Sequence, residues 1–255
     1  KTGSGSIAIR NSGQAGAVGY FAHMAARADM LGMAMTCGGN AMIPTFGAEP
    51  RLGTNPIAFA APAATEPPFL FDFATTTIAR NKIGLARRTG KSTQAGWLSH
   101  DDGTPDMVGG QDGVGGHSDF NYVNQSNQLL PLGGTRELGS HKGYSLGVMV
   151  DIICGQLSDA SGFANLQASR RAHFVQAWDL AGFCDPDEFK ADMDGMLKTL
   201  RETTPMPGAE RVVYAVLPEA ETEMERLRNG IPLHKEVIDW FSSICTELSI
   251  DMTLV

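Results

Sequence analysis

Tryptophan, tyrosine and cysteine are scarce in this 255-residue sequence, with 3, 4 and 4 copies. The cysteines, Cys37, Cys154, Cys184 and Cys245, lie far apart, and none forms a C-x-x-C pair or stands beside a histidine at ligand spacing. That argues against a structural zinc and leaves no metal-ligand set; they read as small buried apolar residues in a reducing compartment. Long apolar runs are also missing. None approaches the roughly 20 residues of a membrane helix, and the start, Lys1 to Ser6, lacks the charged-then-apolar layout of a signal peptide, so the expected location is the cytoplasm. Basic side chains are the minority, 20 Lys and Arg against 28 Asp and Glu, for a formal net charge of -8. Phosphate backbones and anionic membranes demand a basic footprint, so neither nucleic acid nor a membrane is an expected partner, and a small molecule is.

What the sequence has in plenty is glycine, 30 residues, set mostly in clusters between apolar runs that make up part of a 42% hydrophobic composition. This pattern suggests a loop-rich α/β protein with a large core, built as one body over residues 1–255 or as two interlocked subdomains. Ile7 to Ile9 is β-prone, and Gly16 to Leu31 carries Ala17, Tyr20, Phe21, Met24 and Ala25 at helical spacing, predicting a buried helix. Met33 to Thr36, Ile57 to Ala61 and Phe69 to Phe73 are apolar runs bounded by turn residues and predict strands, as do Phe174 to Trp178 and Arg211 to Val216. Ser99 to Gln128 is polar and predicts a long loop or insertion. Lys142 to Leu157 predicts a helix with Leu146, Met149, Val150 and Ile153 on one face. Another is expected to open at Asp185-Pro186-Asp187-Glu188, where acidic first-turn residues follow a capping aspartate and an early proline. A last helix from Pro232 presents Val237, Trp240, Phe241 and Ile244 to a core.

Gly3-Ser4-Gly5 invites a dinucleotide-binding reading, but these glycines precede the β-prone run, whereas the Rossmann fingerprint follows a strand and opens a helix. Gly13, Gly16 and Gly19, three apart, read more simply as one closely packed helix face.

A set of six blocks carries more information. Asn11-Ser12-Gly13-Gln14-Ala15-Gly16 with Gly19-Tyr20, then Met35-Thr36, Gly53-Thr54-Asn55-Pro56, Asp72-Phe73-Ala74-Thr75-Thr76, Pro131-Leu132-Gly133-Gly134 and Lys142-Gly143-Tyr144 occur in this order. In that order the sequence resembles the malate/L-lactate dehydrogenase-like family of NAD(P)-dependent 2-hydroxyacid oxidoreductases, and the resemblance runs through Asp187-Glu188-Phe189 and Asn229-Gly230-Ile231. It implies a non-Rossmann α/β fold with a mixed sheet and flanking helices, a helical C-terminal segment from about residue 219, a homodimer, and hydride transfer between NAD or NADP and C2 of a small 2-oxo or 2-hydroxy acid. Members usually carry a further segment in front of the first block, which supplies arginine and histidine contacts to the substrate carboxylate; the reading expects that segment to be lacking.

The resemblance assigns cofactor contacts to Gly38, where a serine is usual, to Asp72, Phe73, Ala74 and Lys142, and to Glu219 and Ala220, where the usual Pro-Gly-Glu is altered. Asp72 at a strand end suits ribose hydroxyls, and Lys142 at a helix start suits a phosphate; as plain structure, Asp72 would cap a turn and Lys142 would be a solvated charge. Gln14 stands where the family has its acid/base histidine. Histidine suits proton exchange because its pKa is near neutral, whereas glutamine can hydrogen-bond an oxygen but cannot relay a proton. Three readings of Gln14 stay open: a cap residue in a silenced dinucleotide-binding homologue, a dehydrogenase in which water or another residue takes over, and a reductase of cyclic imino acids. His141, beside Lys142, and the other histidines read as surface or structural residues.

Overall fold

A computed structural model describes residues 2–109, 128–160 and 171–252. The chain divides into two compact units, Lys1–Ala215 and Val216–Val255. The expected polar insertion after Ser99 lies largely outside the described residues.

In the first unit, five strands form one sheet: β1 (Ser4–Ser12), β2 (Met30–Cys37), β3 (Ile57–Ala61), β4 (Phe69–Phe73) and β5 (Arg171–Asp179), in the spatial order β1-β5-β2-β3-β4. The fold is α/β with flanking helices, as expected. Where the sequence reading expects a mixed sheet, each ladder among these five strands is antiparallel; the parallel pairing among the described residues is the isolated bridge between Met42 and Leu129.

Alternation along the strands splits the sheet into two apolar faces. On one, Met35, Cys37, Ile57, Ala172 and Phe174 pack against Val150 and Cys154. These last two belong to α3 (Ser140–Asp151) and its π-helical continuation Ile152–Gln156. On the other, Ala34, Ala58 and Ala60 meet Val18, Ala22 and Ala26 of the short helix α1 (Gly19–Ala26) and the residue before it.

Helix α1 corrects the expectation of a long buried helix. It ends at Ala26, and its large side chains Tyr20, Phe21 and Met24 are exposed while Gly19, Ala22 and Ala26 are buried. Helical spacing was present, but the face that turns inward is the small one, because the sheet beneath it is made of alanine and glycine. At Gly32 of β2 an added Cβ would overlap the Ala22 carbonyl oxygen and stand 2.8 Å from the Ala25 Cβ.

Helix α2 spans Asn81–Arg88. Helix α4 (Pro186–Arg201) begins where the sequence placed it: Asp185 accepts from the Asp187 and Glu188 backbone N–H groups at 2.9 and 3.0 Å. From the middle of α4, Asp194 accepts from the Ala64, Thr65 and Glu66 N–H groups and the Thr65 hydroxyl, clasping the turn between β3 and β4. Residues 211–216, expected as a strand, form none. Tyr214 is buried with its hydroxyl donating to Glu66 at 3.3 Å, and the chain turns at Val216 with φ 81°. A left-handed residue before a helix cannot continue a ladder, so β propensity yields there to tertiary contacts.

The second unit consists of α5 (Leu217–Asn229) and α6 (Lys235–Leu248). The expected core face of α6 is not buried: Trp240 and Phe241 are exposed, their rings 5.0 Å apart edge to face. Cys184 is exposed and Cys245 half-buried, against the expectation of four buried cysteines.

Gly32→Ala is expected to lower stability by about 1–3 kcal/mol, the range for overpacking, because the new methyl meets backbone and not a movable side chain. Gly5→Ala in β1, whose Cβ would meet nothing within 4 Å, should leave thermal unfolding nearly unchanged. Equal melting temperatures for the two variants by circular dichroism would refute the close approach of α1.

Candidate functional site

The end of the sheet where β1, β2 and β4 run out opens into a cavity of about 400 Å³ lined by six separate stretches of the first unit, Ala79 to Asn81 before and into α2 among them, a size within the usual range of small-molecule sites. Gln14, Ala15 and Gly16 line it from the segment that joins β1 to α1. Gly38, Gly39 and Asn40 follow β2, Gly53 to Pro56 precede β3, Asp72 and Ala74 end β4, and Arg171 starts β5.

Asp72 has a structural duty that the sequence reading named as the plain alternative. Its Oδ2 accepts from the Gly19 backbone N–H at 2.7 Å, holding the N-terminus of α1 against β4. A carboxylate there satisfies an otherwise unpaired donor and complements the helix dipole. A carboxylate has several lone pairs, so Oδ1 retains accepting capacity beside the cavity.

In the cavity lining, Asn55 is buried and donates through Nδ2 to the Gly147 carbonyl at 2.8 Å. Its Oδ1 is the buried side-chain atom without a hydrogen-bond partner among the described residues. Close by lie Asp151, whose carboxyl is pushed up by burial against opposing hydrogen bonds from Cys37 and Asn55, and the Cys37 thiol. Hydrogen bonding to Cys154, then burial, then the nearby thiol and carboxyl charges, hold Cys37 far above the usual thiol range. It is an inert packing residue, since reactivity requires thiolate.

His173 is buried one layer beneath the cavity. Its Nδ1 lies 2.7 Å from the Thr36 hydroxyl, and it also bonds the Gly13 backbone, one residue before Gln14. Burial lowers its pKa below 6.5, opposed by the Gly13 bond and reinforced by the Arg171 charge. The Thr36 hydroxyl also donates to the Ala172 carbonyl at 3.3 Å, so the three groups form one network. The imidazole thereby ties the Gln14 segment to the ends of β2 and β5.

Of the sequence-predicted residues, Gln14, Gly38, Asp72 and Ala74 share this cavity. Phe73 points to the opposite face of β4, stacked on Phe71 with centroids 4.7 Å apart. Lys142 is exposed in the first turn of α3 and is not among the cavity-lining residues. His141 lies beside Arg136 at 3.0 Å. Glu219 and Ala220 form the first turn of α5, a helix start and not a turn, in the second unit. Sequence reasoning missed Arg171, Thr36 and His173 as site-forming residues, because the pairing of β5 with β1 and β2 that gathers them leaves no local signal.

A sequence model described as malate/L-lactate dehydrogenase matches residues 1–242. The chain belongs to this family. It is 37% identical to the malate dehydrogenase of Pyrococcus abyssi over 98% of its own length and 67% of the relative's. Against the crystal structure of malate dehydrogenase from Entamoeba histolytica it superposes with a TM-score of 0.90 at 30% identity, covering 99% of this chain and 70% of that one. A ureidoglycolate dehydrogenase (NAD(+)) of Escherichia coli O157:H7 is 28% identical over 93% of this chain and 64% of the relative. The chain thus spans about two thirds of the length of these relatives. No helix among the described residues is long and apolar enough to cross a membrane.

Two measurements check this environment. Because the folded-state pKa of His173 lies below its unfolded value of 6.5, the unfolded state binds more protons as pH drops through that value. Stability should therefore fall from pH 6.5 downward, and His173→Asn should flatten that slope; an unaltered slope in denaturant titrations would contradict the burial. Iodoacetamide on the native protein should label Cys184 and spare Cys37, as read by peptide mass spectrometry, and rapid labelling of Cys37 would contradict its inert setting.

Proposed function

We propose that the chain carries out reversible hydride transfer between NAD(P)H and C2 of a small 2-oxo acid, yielding the 2-hydroxy acid. The observation that carries this reading is the gathering of Gln14, Gly38, Asp72 and Ala74, from stretches up to 60 residues apart in sequence, around one cavity of about 400 Å³. The residues suit a nicotinamide nucleotide: Asp72 keeps an oxygen for ribose hydroxyls, and Gly38 lines the cavity with backbone that carries no side chain of its own. When bound, the reduced cofactor supplies the hydride that C2 receives.

The protein's own share is to hold the carbonyl carbon at about 3 to 3.5 Å from the hydride donor, which accounts for much of such a rate. Gln14 can donate an amide N–H to the substrate oxygen and so polarise the carbonyl. It has no titrating proton to give, so the proton that converts the developing alkoxide to a hydroxyl comes from water. Slow turnover of a ketone follows.

Gln14 favours a second reading, reduction of a cyclic imino acid. A C=N group protonated in solution enters with its proton already in place, and hydride addition then needs no acid from the protein.

Titration of protein fluorescence with NADH and NADPH should show saturable binding of at least one. A panel of 2-oxo acids and cyclic imino acids, followed by loss of NAD(P)H absorbance, then identifies the substrate. Gln14→His is expected to raise kcat for a 2-oxo acid by about 100-fold, the lower range for general acid catalysis. An unchanged rate would remove position 14 from the chemistry, and absence of binding by either nucleotide would remove the cofactor reading.

A further inference from the structure

Three charged residues line the cavity: Asp72, Arg80 and Arg171. Asp72 is committed to the N-terminus of α1. Arg80, just before α2, already has an interaction of its own. Arg171 has no ion pair among the described residues, although it is half-buried at the cavity wall. A guanidinium so placed is a standing demand for an anion.

Its position follows from strand register. Arg171 pairs with Ser12 on β1, and its neighbours Ala172 and His173 pair with Cys37 and Thr36 on β2. Arg171 therefore stands between the two strand ends that lead into the Gln14 segment and the Gly38–Asn40 segment. The side chain lies over Gly39, where an added Cβ would come within 2.8 Å of Nη1 and where φ is +82°. One edge of the guanidinium is thus backed by bare backbone. The electrostatic influence of Arg171 on His173, beneath the same wall, agrees with this placement.

The cavity is polarised as a result. In the order β5-β2-β3-β4, Arg171 and Asp72 stand three strand spacings apart, about 14 Å across the ladder. Between these two charges an anionic group is drawn towards Arg171 and away from Asp72, and Gln14, two residues beyond the register partner of Arg171, belongs to the Arg171 end. We propose that Arg171 receives the substrate carboxylate, anchoring a 2-oxo or 2-imino acid with its C2 beside Gln14. This assignment rests on the hydride-transfer reading. The planar fork of arginine matches two coplanar carboxylate oxygens and equally a phosphate, so the cofactor's phosphates are the competing source of the same chemistry.

The test compares oxamate with oxamide, near-isosteric probes that differ in one carboxylate, by calorimetry on the native chain, Arg171→Met and Arg171→Lys, each with and without NADH. The native protein is expected to bind oxamate at least about tenfold more tightly than oxamide, the factor for a charged hydrogen bond at its weak end. Arg171→Met should bring the ratio near one with NADH affinity unchanged. Arg171→Lys, which keeps the charge and loses the fork, should fall between and serves if the methionine variant does not fold. A preference for oxamate that survives in both variants, or no preference in a native chain that binds NADH, overturns the assignment. Weakened NADH binding in Arg171→Met with an intact oxamate preference gives the guanidinium to the cofactor and overturns it too. An oxamate preference lost with Arg171, in a native chain that does not bind NADH, would support the carboxylate site and overturn the hydride-transfer reading.

Discussion

How closely α1 lies on the sheet governs where the site residues can stand. The helix meets β2 at Gly32, where there is no room for a methyl group, and it rests on Ala34, Ala58 and Ala60 through Ala22 and Ala26. At that separation the first helical N–H, that of Gly19, reaches the Asp72 carboxylate on β4. But β1 and β4 are opposite edges of the sheet. The seven steps from Ser12 to Gly19 must therefore cross about 19 Å, four strand spacings, with a maximum reach of about 25 Å. Little slack remains, so Gln14, Ala15 and Gly16 are stretched along the end of the sheet and overhang the cavity. A bulkier helix face would lift α1, detach it from Asp72 and leave that segment without a fixed course.

The fold was legible where one element's own residues decide its state. The runs at Ile57–Ala61 and Phe69–Phe73 are strands with the predicted bounds, and Asp185-Pro186 starts α4 because capping is local chemistry. Errors fell where packing chooses between locally acceptable answers. Tyr20, Phe21 and Met24 have helical spacing, yet a sheet surface of alanine and glycine accepts only the small side of that helix. Val212, Val213 and Tyr214 have β propensity, but the Tyr214 hydroxyl is engaged with Glu66, 148 residues earlier, and no composition rule carries that information.

At the site, the resemblance of short blocks to a family brought Gln14, Gly38, Asp72 and Ala74 into view, and the folded chain draws them around one cavity. The period of two then separates Asp72 from Phe73, which neighbours it in sequence and faces the other side of the sheet. Arg171 and His173 were invisible for a different reason: their partners Ser12, Gly13 and Thr36 lie more than 130 residues away, and the pairing of β1 with β5 is set by topology. The same strand shows why the plain reading of His173 was half right. It is structural in itself, but what it structures is the Gln14 segment.

This arrangement bears on whether a neighbouring group can compensate for Gln14. His173 is the described histidine in this network, yet its ring is engaged with Thr36 and the Gly13 backbone, and burial and Arg171 both oppose its protonation. Cys37 holds its proton far too tightly to exchange it. The described lining therefore combines an anion-seeking end with no side chain poised to give and take a proton near neutral pH. A substrate that arrives as a carboxylate and carries its own proton on the reacting bond meets both conditions. A 2-oxo acid meets only the first and must draw its proton from solvent, so the chemistry of the substrate, more than its size, decides how fast such a cavity can work.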